Sequence, residues 1–167
     1  MDKMDYEVET RFEATFNEIK EQFAIVFPEM FGGGRAELQL TDPNNLLETG
    51  IEIIAQPPGK KLTRLSLLSG GERALTAISL LFAIIKVRPI PFCILDEVES
   101  SLDEANVSRF GSYLQNFDDE TQFIVITHRK GTMEQADRLY GVTMQEQGVS
   151  KLVSVSLKEA ERMDHVV

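Results

Sequence analysis

The 167 residues, 43% of them apolar and 26% charged, suffice for one domain with a single buried core. A net charge of −10 excludes a chain that clings to nucleic acid over its whole surface, so any DNA contact has to come from a local basic patch or another chain. No run approaches the ~20 continuous apolar residues of a membrane-spanning helix, and the acidic, polar residues 1–7 are not those of a signal peptide.

From the amino end, Phe12, Phe16, Ile19, Phe23 and Phe27 recur at helical spacing. They draw one apolar stripe on a helix over 5–27, with Pro28 as its stop. Such a stripe serves the end of a coiled coil entering a head as well as it serves an ordinary core-facing helix. The abrupt polar start reads as a cut within a longer helix. After a turn at Gly32, Gly33 and Gly34, alternating residues predict strands over 36–40 and 50–55. The cluster Asp42-Pro43-Asn44-Asn45 turns between them, and Pro57-Pro58-Gly59-Lys60-Lys61 breaks the pattern again.

Residues 75–86 are almost continuously apolar and read as a buried helix. A short apolar strand over 91–95 leads to Asp96. Its Cys93, the only cysteine, reads as a small buried hydrophobe, and a chain that forms no internal disulfide fits a reducing, cytosolic setting. A helix over 106–117 places Val107, Phe110, Leu114 and Phe117 on one stripe. A buried strand over 122–127, a short helix around 133–139, and strands over 140–144 and 150–157 about Gly148 complete the pattern. The tail over 158–167 is charged. Strand and helix in alternation predict an α/β layer with a parallel sheet.

Four local patterns carry chemistry. Ser69 and Glu72 stand three apart at the head of the apolar helix and form a capping box, with Gly70 and Gly71 between them. A capping box does not require two glycines, each costing about 1 kcal/mol in a helix interior. Bare N–H groups at the positive end of a helix suit an anion. Second, the apolar strand ends in Asp96-Glu97. Adjacent strand residues face opposite ways, so one carboxylate can hold Mg²⁺ through water while the other activates an attacking water. The same pattern also fits a strand ending in an acidic turn. Third, Asp103 in Ser101-Leu102-Asp103 can cap the next helix. Fourth, Ile124-Val125-Ile126-Thr127-His128 ends a buried strand in a histidine, which beside a phosphate becomes a donor or a proton-aware switch.

The order of these parts resembles the C-terminal lobe of the ABC ATPases. The resemblance sharpens with Arg35-Ala36-Glu37-Leu38-Gln39-Leu40, Gln56-Pro57-Pro58-Gly59-Lys60-Lys61, Leu68-Ser69-Gly70-Gly71-Glu72-Arg73, Leu102-Asp103-Glu104-Ala105-Asn106 and Ile126-Thr127-His128-Arg129. Over nearly the whole chain these are similar to the C-terminal head segment of the SMC (structural maintenance of chromosomes) proteins, bacterial chromosome-segregation members in particular. The family fold is a mostly parallel sheet flanked by helices, belonging to an ABC-type, P-loop NTPase-like head. The resemblance implies residues 1–27 as the end of a returning coiled coil, 28–157 as the lobe and 158–167 as a charged tail. It implies ATP and Mg²⁺ as cofactors. The implied partners are the N-terminal Walker A lobe of the same protein, a second SMC head engaged through ATP, a kleisin subunit and DNA. Condensation and segregation of chromosomes in the cytoplasm, at the nucleoid, would be the outcome.

Carried over by position, Asp96 is the Mg²⁺-linked Walker B acid, Glu97 the catalytic base and His128 the switch histidine near the γ-phosphate. Ser69, Gly70, Gly71 and Glu72 form the signature that meets the ATP of the opposite head, and Asp103 is the D-loop acid bridging two heads. A Walker A loop, G-x-x-x-x-G-K-[ST], is missing. The one Gly-Lys pair, Gly59-Lys60, follows two prolines and precedes Lys61, so the chain alone is expected to be inactive as an ATPase. Glu99-Ser100-Ser101 departs from the family's usual acid followed by two alanines. Rival readings are an ABC transporter domain, disfavoured by Glu72-Arg73 where a glutamine is usual; the head segment of a coiled-coil DNA-repair ABC ATPase; and a lobe that acts only as a docking platform.

Overall fold

The computed structural model describes residues 3–117 and 120–156; the expected tail over 158–167 lies outside them. Helix α1 spans Lys3–Phe31, four residues beyond the expected end at 27. Pro28 lacks an N–H and so removes only the bond to the exposed Ala24 carbonyl. Meanwhile Val26, Phe27, Met30 and Phe31 are all buried and hold the last turn in helical geometry. The stop is the glycine run. Gly32 adopts φ +70°, and the Gly33 N–H closes back on the Pro28 carbonyl at 2.8 Å, a glycine-terminated helix end.

Strands β1 (Arg35–Leu40) and β2 (Ile51–Gln56) form an antiparallel pair, to which β3 (Thr63–Arg64) adds a short edge missed in the sequence pattern. A 3₁₀ turn (Leu65–Leu67) leads into α2 (Gly70–Val87). Strand β4 (Phe92–Asp96), helix α3 (Glu104–Gln115) and strand β5 (Gln122–Ile126) follow, with β4 and β5 parallel. Helix α4 (Lys130–Met133) precedes a hairpin of β6 (Arg138–Glu146) and β7 (Val149–Ser156). The helix expected around 133–139 therefore sits earlier, because pairing of Arg138 with Ser156 draws that segment into the hairpin.

Helix α2 packs along α1, and its buried Leu75, Ile78, Phe82, Ala83 and Ile85 join the α1 phenylalanines in the core. Phe82 centres an aromatic cluster, stacked on Tyr113 at 5.0 Å and meeting Phe123 edge-on at 5.8 Å; it locks α2, α3 and β5 together. Cys93 is half-buried, and burial pushes its thiol pKa up. The α/β class is as expected, but parallel pairing among the described residues is confined to β4 and β5. The short β1–β2 and β6–β7 connections can only make hairpins, whereas the route from β4 to β5 passes through α3, as a parallel crossover requires.

Candidate functional site

The first part of the site is the amino end of α2. Ser69 is extended, and its Oγ accepts the Glu72 N–H at 3.4 Å and donates to Glu72 Oε2 at 2.7 Å. The Ser69 N–H donates to the same Oε2 at 3.0 Å, which closes the expected capping box. Lys60 brings its Nζ to 2.7 Å from Glu72 Oε1 and 2.9 Å from Oε2. That ammonium, aided by Ser69 and opposed by partial burial, holds the Glu72 carboxyl below the usual carboxylate range.

The two glycines differ in purpose. A Cβ on Gly71 would lie 2.9 Å from the Ser101 carbonyl oxygen, so the turn after β4 approaches α2 only because Gly71 has no side chain. A Cβ on Gly70 would meet nothing; its face is open. Ser69, Gly71 and Glu72 line a cleft of about 420 Å³ together with Ser101, Asp103 and Arg109. Asp103 caps α3, accepting the Asn106 N–H at 2.8 Å.

The second part lies at the carboxyl ends of β4 and β5, and none of its residues lines that cleft. Asp96 ends β4 opposite Ile126. Glu97 follows with φ +47°, the single non-glycine residue with positive φ among those described. The pleat therefore does not set the two carboxylates apart, as the sequence suggested. The strand stops at Asp96, and a left-handed turn at Glu97 aims its side chain, its N–H still donating to the Ile126 carbonyl at 2.9 Å. Such a conformation costs about 1–3 kcal/mol and persists where the surroundings enforce it. His128 brings Nδ1 to 3.3 Å from Glu97 Oε1 at an exposed position. Among the described residues no group of three His, Cys, Asp or Glu side chains gathers as a metal site. Asp96 offers one carboxylate, which suits Mg²⁺, an ion usually held by one or two carboxylates with phosphate and water completing its shell.

Sequence reading met Glu99 and Arg129 only as parts of family-like runs and gave neither a role. Glu99 is completely buried. Its Oε1 accepts hydrogen bonds from the hydroxyls of Thr127 and Thr132, the latter at 3.2 Å, and Oε2 has no hydrogen-bond partner among the described residues. Leaving a buried acceptor unsatisfied costs about 1–3 kcal/mol. Arg129 reaches across to the Leu102 carbonyl at 3.1 Å and to Glu104 at 2.8 Å. The signal available in the sequence was a third acid close behind Asp96-Glu97, facing a threonine at the end of the next strand.

The family described as the RecF/RecN/SMC N-terminal domain matches residues 6–151. The Chromosome partition protein Smc of Bacillus subtilis (strain 168) is 68% identical over 161 residues, which cover 96% of this chain and 14% of that protein. The chain thus spans about one seventh of that relative's length. A Pyrococcus furiosus Smc head domain with an extended coiled coil, solved bound to the C-terminal domain of ScpA, superposes with a TM-score of 0.87 at 42% identity. That match covers 96% of this chain and 40% of the other. A chain solved in work on ATP-driven dimerization and DNA-stimulated activation of SMC ATPases gives a TM-score of 0.82 at 41% identity, covering 94% of this chain and 95% of its own.

Proposed function

This chain belongs to the RecF/RecN/SMC family, and from that premise we propose that it is the C-terminal lobe of a bacterial SMC ATPase head, which binds and hydrolyses ATP between two engaged heads. The observation that carries the reading is the division of the site. The signature end of α2 opens on one cleft, while Asp96, Glu97 and His128 stand together elsewhere, so one chain offers two unlike half-sites. An ATP held by one head would meet the Walker B end of its own head and the signature of the other.

The family description speaks of an N-terminal domain; placement in the C-terminal segment rests on motif order and on the missing Walker A. A second support is the sheet. Parallel strands are normally covered on both faces, yet Phe92, Ile94, Ile124 and Ile126 are 56%, 57%, 45% and 51% exposed on one face of β4 and β5. The Walker A lobe of the same protein is the proposed cover. Within α1, Met4, Tyr6 and Val8 are exposed while Phe23, Val26, Phe27, Met30 and Phe31 are core, as suits a coiled coil over 1–27 running into the lobe. The hairpin, with Tyr140, Val142, Met144 and Leu152 exposed on one face, is the proposed neighbourhood of the kleisin. DNA contact is assigned to other parts of the assembly, given the net charge of −10.

In hydrolysis Glu97 takes the proton of the attacking water, and His128, in contact with Glu97, orients toward the γ-phosphate. Asp96 would hold Mg²⁺, which supplies charge neutralisation on the phosphate oxygens. Ser69 would turn its hydroxyl from Glu72 Oε2 to the γ-phosphate of the opposite head's ATP, to which Gly70 and Gly71 would donate their N–H groups. Asp103 lines the same cleft and would bridge the heads. The alternative of a DNA-repair ABC ATPase has less support, given 68% identity to a chromosome partition protein.

Calorimetry with Mg-ATP tests the division directly. The chain alone should bind ATP weakly and hydrolyse none, and addition of its Walker A lobe should bring both activities. Tight ATP binding by the chain alone would show that the nucleotide sits elsewhere.

A further inference from the structure

The turn after β4 and the turn after β5 are fastened together at three depths. Nearest the strand ends, the Glu97 N–H donates to the Ile126 carbonyl at 2.9 Å. Deeper, Glu99 receives the hydroxyls of Thr127 and Thr132. Farthest along, Arg129 donates through Nη1 to the Leu102 carbonyl at 3.1 Å. Thr127 links these layers, because its Oγ1 also accepts the Arg129 N–H at 2.9 Å. His128 is therefore bracketed: the residue before it is tied to Glu99, and the residue after it to Thr127 and Leu102. Glu97 stands two residues before Glu99, and the Glu99 carbonyl accepts the Leu102 N–H at 3.0 Å, just ahead of Asp103.

Stability alone does not account for a carboxylate here. Glu99 is completely buried and, among the described residues, its Oε2 has no hydrogen-bond partner. Burying a polar group whose hydrogen bonds are incomplete costs stability, a cost that an apolar side chain in its place would not carry. What an apolar residue cannot do is hold two hydroxyls from the opposite turn at fixed distance and direction.

We propose that Glu99 is a positioning residue for hydrolysis: through Thr127 and Thr132 it sets the separation and orientation of the exposed Glu97–His128 pair. It is itself completely buried and acts through its hydroxyl partners. The left-handed turn at Glu97 aims the base, and the Glu99 hub keeps that turn in register with His128. This proposal rests on the reading of Glu97 and His128 as hydrolytic residues.

The test uses the full-length protein that carries this segment, with Thr127→Val, Thr127→Ser, Glu99→Leu and, as control, Glu97→Gln. Valine matches threonine in shape but removes the hydroxyl that joins Glu99 to Arg129, and leucine removes the oxygen that accepts both threonine hydroxyls. Thr127→Val and Glu99→Leu should each lower kcat about ten- to a hundred-fold, the range expected for a small misplacement of reacting groups. KM for ATP and the ATP-dependent dimer fraction should stay at parental values. Thr127→Ser should restore turnover, and the Glu99→Leu/Thr127→Val pair should fall no further than the worse single variant, since both break one linkage. Parental kcat in Thr127→Val overturns the proposal. So does a loss of kcat that follows lost dimer and lowered melting temperature and is not rescued by serine. If Glu99→Leu does not fold, the two Thr127 variants decide. If Glu97→Gln itself turns over normally, the hydrolytic reading fails and takes the proposal with it. If Glu97→Gln is inactive while Thr127→Val is parental, only the positioning role is lost.

Discussion

The two halves of the site are built in opposite ways. At the amino end of α2, Ser69 and Glu72 satisfy each other within one helical turn, and Lys60 arrives from the preceding loop. At the ends of β4 and β5, Glu97 meets His128 and Glu99 meets Thr127 only because a parallel crossover returns the chain beside itself. One end is a local device that any helix could carry. The other is a product of the fold. Groups held by local geometry suit a surface presented to a partner, whereas groups held across two strands suit chemistry, where small displacements are expensive.

The comparison is sharpened most by Glu97→Gln in the assembled head. Loss of a general base typically lowers turnover by ~10²–10⁴-fold. Since ATP binding and engagement call on Asp96 and the signature Ser69 rather than on the base, the variant should accumulate as an ATP-bound dimer, read by steady-state ATPase and size-exclusion together. A variant that neither hydrolyses nor dimerises would merge the two halves into one.

Ser69→Arg is the reciprocal change. It places a bulky cation where the signature meets the opposite head, so ATP binding by single heads should persist while the ATP-dependent dimer disappears. A normal dimer on size-exclusion would remove the signature half from the reading.

The glycines provide a smaller, paired effect. Gly71→Ala forces a Cβ to 2.9 Å from the Ser101 carbonyl and should destabilise by about 1 kcal/mol or more in urea unfolding, as overpacking does. Gly70→Ala enters open space and should leave stability level or raise it by up to about 1 kcal/mol. It should nevertheless reduce the ATP-dependent dimer fraction. Equal behaviour of the two variants would deny that Gly70 is bare for the sake of a partner.

The smallest effect is on pH. With its folded pKa below the ordinary carboxylate value of 4.5, Glu72 contributes stability that is fully present above that value and is lost as pH falls through the depressed one. Urea titrations of the parent and Glu72→Gln should therefore differ at neutral pH and converge in acid. A constant gap across that window would show that the charge on Glu72 has no part in the cap.

What the sequence made legible follows the same divide. Ser69, Glu72 and Asp103 were readable because caps depend on spacings of three residues. The strands and long helices were readable from periodicity. The end of α1 was misplaced because burial of Met30 and Phe31 outweighs the lost bond at Pro28. The partnership of Glu99 with Thr127 and Thr132 was not readable, since no local rule links the turn after one strand to the turn and helix after another. Glu97 was identified as an acid of interest, but its left-handed backbone, which aims it, left no mark in residue type.

The uncovered face of β4 and β5 also bears on how such a protein is made and handled. Among the described residues these strands pair only with each other, so each has an open edge next to exposed Phe92, Ile94, Ile124 and Ile126. Open edges beside apolar side chains are templates for self-association. A ribosome releasing this lobe apart from its mate would release a sticky intermediate, with the net charge of −10 as the chief brake on clumping. Yield of soluble lobe should then depend on the mate being present during synthesis rather than added afterwards.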